Sequence, residues 1–109
     1  MTSGILRATG SLAASASTNI LLGVNASERR FVNEFRVGSN TTANVLTLNF
    51  ENCQGWDGRS FTLGSEQSVN PSKFLTPLIV EGEGGSLSLQ NTNAGTAVYE
   101  LSVYYTTKT

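Results

Sequence analysis

Apolar residues recur at every second position in short runs along this chain. In the clearest run, Ala97–Thr106, Tyr99, Leu101, Val103 and Tyr105 share one face and Glu100, Ser102 and Tyr104 the other. Asn44–Glu51 sets Leu46, Leu48 and Phe50 against Val45, Thr47 and Asn49, and Arg30–Val37 sets Phe31, Phe35 and Val37 against Val32, Glu34 and Arg36. Five shorter runs complete the set: Gly4–Thr9, Asn19–Asn25, Arg59–Leu63, Phe74–Glu81 and Ser86–Asn91. A two-residue period places alternate side chains on opposite faces of a strand, whereas a helix needs apolar positions at i, i+3, i+4 and i+7 over about a dozen residues. No stretch meets the helical pattern.

About eight strands in a chain of 109 residues predict one all-β domain, a single antiparallel sandwich that is jelly-roll-like, either a jelly roll or a closely related sandwich. The runs at 30–37 and 44–51, separated by a turn through Gly38-Ser39-Asn40, read as a hairpin. Pro77 cannot donate to a ladder and marks an edge or a strand start. Residues 10–17 are nearly all Ala and Ser. Residues 1–17 are therefore expected to form either an N-terminal arm or a first strand, with the sandwich domain over 18–109.

Composition narrows the function. Ser, Thr and Asn, which favour strand surfaces and turns, supply about a third of the chain. There is no histidine, which removes the commonest general base, zinc ligand and nucleophile partner. One Asp and seven scattered Glu make a poor oxygen cage for a metal, so no catalytic residue, cofactor or metal is expected. Seven basic against eight acidic groups, with no basic run longer than Arg29-Arg30, argue against nucleic acid and membrane surfaces as partners. No apolar run reaches a membrane-spanning length, and the first residues lack the pattern of a secretion signal. Cys53 stands alone and reads as a small apolar residue beside a turn. The sequons at Asn25 and Asn40 read as turns. Glu81 and Glu83, spaced like a carboxylate pair around Gly82, read as a solvated turn and not as acid–base equipment.

Two groups of residues are candidates for binding. Val32, Val45, Ile79 and Val98 fall on strand faces opposite the core set; gathered on one sheet they would form an interface. Ile5, Leu6 and Arg7 on the first run, and Arg29 and Arg30 at a strand start, extend that candidate partner surface. The loop Asn52–Arg59 concentrates Trp56, Asp57 and Arg59, a combination that either stacks and hydrogen-bonds a sugar or caps one end of the core.

The stretch Pro77–Tyr105 runs from a Gly-rich turn through an alternating strand and an Asn-Ala-Gly-Thr turn to a closing alternating strand. In this it resembles the end of small decoration, or cement, proteins of tailed bacteriophage capsids. The resemblance covers about a quarter of the chain. It implies a homotrimer on the outer virion surface, made in the host cytoplasm and bound to the major capsid protein or another virion protein. The alternative from the residues themselves is a carbohydrate- or receptor-binding module.

Overall fold

The computed structural model describes residues 2–23, 26–40, 45–53, 55–63 and 66–108. Its strands are β1 (Thr2–Leu12), β2 (Ser17–Leu21), β3 (Arg29–Ser39), β4 (Leu46–Glu51), β5 (Ser60–Leu63), β6 (Glu66–Val69), β7 (Leu78–Glu81), β8 (Ser86–Asn91) and β9 (Ala97–Lys108), with a 3-10 turn at Pro71–Lys73. One sheet has the order β1-β9-β3-β6, with β7 also paired to β3; the other has the order β2-β8-β4-β5. Every pairing is antiparallel. The expected all-β sandwich is therefore what the chain forms.

β6 and β7 occupy successive stretches of one edge of β3, against Phe35–Gly38 and Arg29–Val32 respectively. Counted as a single interrupted strand, they bring the total to eight. First then pairs with last, second with seventh, third with sixth and fourth with fifth, which is a long hairpin rolled into two sheets: a jelly roll. The interruption follows from the residues. Pro71 and Pro77 lack a ladder donor, so residues 70–77 leave the sheet between β6 and β7. β3 responds with a bulge, its register on β9 shifting between Val32 and Glu34.

That bulge corrects the face assignment of β3. Strict alternation groups Phe31 with Phe35 and Val37, but the extra residue, Asn33, reverses the phase. Val32 is buried at 3% exposure with Phe35 and Val37, while Phe31 turns outward. The expected hairpin of the third and fourth strands is also corrected. β3 and β4 lie in different sheets, and β4 pairs with β5 and β8. Alternation identifies which face is buried, not which strand lies alongside. The loop positions 41–44 fall outside the described residues, as do Val24 and Asn25 at the end of the second predicted strand.

The core closes between Leu46, Leu48, Phe50, Leu87 and Leu89 of one sheet and Phe35, Val37, Leu78, Val80, Leu101 and Val103 of the other. The 1–17 segment supplies the first strand. β1 pairs with β9 along its whole length, Leu12 is buried, and Leu6 and Ala8 pack against the core. Two cross-strand pairs fit a tyrosine ring over a glycine: Tyr105 opposite Gly4 and Tyr99 opposite Gly10. A Cβ on Gly4 would stand 2.6 Å from the Tyr105 ring, and one on Gly10 would stand 3.0 Å from the Tyr99 hydroxyl. Glycine leaves the space that the ring fills.

Candidate interaction surfaces

The Trp56 loop folds inward. Asn52 at φ 56° and Gly58 at φ 80° provide its left-handed turns. The Asp57 carboxylate accepts the Cys53 N–H at 2.6 Å, and the Trp56 N–H donates to the Cys53 carbonyl at 2.8 Å. Trp56 is fully buried, its ring against Phe50 at 5.2 Å, Phe61 at 5.9 Å and Phe74 at 5.2 Å. The Arg59 guanidinium lies over it at 4.8 Å. Trp56 thus cannot stack a sugar. Of the other two candidate glycan contacts, Asp57 is exposed and ties its Oδ1 to the turn, and Arg59 lies half-buried over the ring. The apolar cluster drives this, because an indole meeting three phenyl rings gains more from burial than from a wet loop.

The same indole pins the 70–77 loop, its Nε1–H donating to the Thr76 carbonyl at 2.8 Å. Ser72 Oγ donates to the Asn33 carbonyl at 3.4 Å, and the Phe74 N–H donates to the Pro71 carbonyl at 3.1 Å. At the tip of this held loop Leu75 is 102% exposed, beside Phe74 at 37% and an exposed Lys73. Sequence reasoning missed this feature by running the strand back to Phe74. The available signal was an apolar pair enclosed by Pro71 and Pro77, which punctuate a loop.

The outer face of the β1-containing sheet gathers some of the predicted interface. Ile5 and Val98, 49% and 48% exposed, both point outward. They sit six register positions apart along β9, about 20 Å, so no single apolar patch forms. Ile5 lies beside Tyr104, and Ile79 beside Phe31. Arg7, Ser102 and Arg36 form one row across β1, β9 and β3. With Glu66, Glu100 and Tyr104 they line a shallow depression of about 540 Å³. Arg36 is held by Glu34 at 3.1 Å and lies over Tyr104 at 5.4 Å.

The remaining interface candidates are buried or engaged. Val32 joins the core through the bulge. Val45, 8% exposed, precedes β4, and its carbonyl accepts both the Thr92 N–H and hydroxyl. Arg30 is 8% exposed, donating from Nη1 to the Leu22 carbonyl at 2.7 Å with its guanidinium 4.3 Å from the Tyr105 ring centroid. Leu6 is half-buried against the core. Arg29 remains exposed but pairs with Glu81 at 3.1 Å.

Among the described residues no three His, Cys, Asp or Glu side chains come together as a metal site. Burial raises the Cys53 thiol to about 11, opposed by the backbone at Ser86 and assisted by the Asp57 charge. The Cys53 thiol donates to the Glu51 carbonyl at 3.4 Å. It is held neutral and enclosed, the opposite of a nucleophile.

No family model and no curated protein matches the chain. Among solved structures it is similar to PliG of Aeromonas hydrophila, a periplasmic lysozyme inhibitor of g-type lysozyme. The identity is 13% over 95% of this chain and 86% of that one, with a TM-score of 0.47, a likeness too slight to carry an argument about fold or function.

Proposed function

We propose that this chain is a non-enzymatic structural protein that docks onto other protein subunits, the receiving surface being the outside of a virion shell. The observation that carries the docking is Leu75. A fully exposed leucine normally sits on a mobile segment, but this one caps a loop fixed by Trp56 and Asn33. An apolar side chain held ready loses little entropy when a partner pocket closes on it, which is how an anchor residue gains affinity. Phe74 widens the apolar contact, and Lys73 favours an acidic rim around that pocket.

The shell as partner rests on the Pro77–Tyr105 resemblance, and the trimeric order rests on it alone. A jelly roll is compatible with that role but serves many others. The carbohydrate reading loses its anchor with Trp56 buried. Mass spectrometry of density-banded particles from the organism that encodes the chain tests the assignment. Detection in fixed ratio to the shell protein is expected; its absence from purified particles would overturn it.

A further inference from the structure

A strand edge exposes unpaired N–H and C=O groups that another strand can use, so proteins keep free edges short or broken. Three of the four edges here follow that rule. β2 has five residues, β5 four, and the β6/β7 edge is two four-residue pieces split by the proline-bounded loop. β1 does not. It runs eleven residues without proline or bulge, in unbroken register with β9 from Thr2 to Leu12, and among the described residues no strand pairs with its other side.

We propose that β1 pairs with β1 of a second copy of this chain, antiparallel about a two-fold axis at Arg7. The strand's own residues favour this occupant. About Arg7 the outer mirror pairs are identical, Ser3 with Ser11 and Gly4 with Gly10, and the inner pairs are matched in kind, Ile5 with Thr9 as β-branched residues and Leu6 with Ala8 as apolar ones. In the proposed register Ser3 meets the partner's Ser11, Gly4 the partner's Gly10, Ile5 the partner's Thr9, and Leu6 the partner's Ala8. Paired positions have the same parity, as they must when each strand offers alternate residues to its free edge. On the inner face Leu6 and Ala8, each only half-buried in one copy, gain apolar neighbours. The two glycine pairs leave room there for Tyr105 and the partner's Tyr99 to lean together.

On the outer face Arg7 meets the partner's Arg7. Like charges directly opposite weaken a sheet pair, so the dimer is held below its full strength. This gives the assembly an unusual signature: salt tightens it. Replacing the arginine with a neutral β-branched residue, Arg7→Thr, should tighten it roughly two- to fivefold. The pairing is two-fold, so it predicts a dimer where the capsid resemblance implies a trimer, and it does not depend on the shell assignment.

The test uses purified protein alone. Cys53 is buried, so a single introduced cysteine is the only reactive thiol. Under mild oxidation Arg7→Cys should link to itself. Ile5→Cys and Thr9→Cys should each stay without a cross-link alone and link when mixed. Sedimentation equilibrium should show a monomer–dimer exchange that shifts toward dimer with added salt. Equal cross-linking at all three positions, a trimer, or a monomer at every concentration that does not cross-link at Arg7→Cys would each overturn the proposal.

Discussion

Trp56→Phe separates a clamp from a ligand platform. The substitution deletes the Nε1–H that reaches the Thr76 carbonyl at 2.8 Å, and it leaves a smaller ring among Phe50, Phe61 and Phe74. Losing one hydrogen bond of this type costs about 1 kcal/mol. The unfilled space, ~40 Å³ at ~24 cal/mol per Å³, adds about 1 kcal/mol. The sum, about 2 kcal/mol, is a large share of the ~5–15 kcal/mol that holds a small domain together. Urea unfolding followed by far-UV circular dichroism should show the midpoint lowered by about 1 M at an unchanged slope. Amide exchange at residues 72–76 should speed up more than exchange in β8 and β9, since the loop loses its tie. A surface Trp that stacks a sugar predicts neither change, because phenylalanine stacks as well. A Phe variant with wild-type stability and an unaltered loop would refute the clamp.

Other substitutions probe separate parts of the account. Asn91 is fully buried; its Nδ2 donates to the Leu12, Ala13 and Gly95 carbonyls at 2.9–3.1 Å, and its Oδ1 accepts the Asn93 N–H at 2.8 Å. Asn91→Asp keeps the shape but turns a carboxylate toward those carbonyls. It should cost about 3 kcal/mol at pH 7 and recover on acidification in thermal melts, because the protonated acid is the form the site favours. Arg30→Ala should cost about 2 kcal/mol in the same melts, against under ~0.5 kcal/mol for Arg29→Ala, whose ion pair is exposed. Cys53, raised from 9.0 to about 11, stabilises the fold fully below its unfolded value. Between pH 9 and 11 the unfolded thiol ionises first and that stability is lost; Cys53→Ala should lose less stability across this window, and the native thiol should react with a disulfide reagent only on unfolding.

Alternation revealed most of the fold. β4, β8 and β9 each bury one side, so their period of two is clean, and their boundaries lie close to where the pattern puts them. The errors arose where a local event broke the period. The Asn33 bulge reversed β3 and hid Val32 in the core. β6, Glu-Gln-Ser-Val, is an edge segment with little to bury and so carries no alternation at all. Neighbour choice was equally hidden: the turn after β3 could return alongside or cross to the other sheet, and only packing decides. The binding surface was the least legible part. Trp56 and Arg30 look like contact residues but spend their polar groups inside the molecule, whereas Leu75 looks like the start of a strand. Ile5 and Arg7 do stay exposed side by side, as does Val98, but Val98 lies about 20 Å away along the sheet and joins no patch with them.

The central claim is docking onto an assembled shell through a held leucine. Co-sedimentation of the purified protein with assembled particles, comparing wild type with Leu75→Asp, tests it most directly. Saturable pelleting that the variant loses while keeping wild-type unfolding behaviour is the predicted result. Wild-type protein that stays in the supernatant, or a variant that pellets equally well, would contradict it.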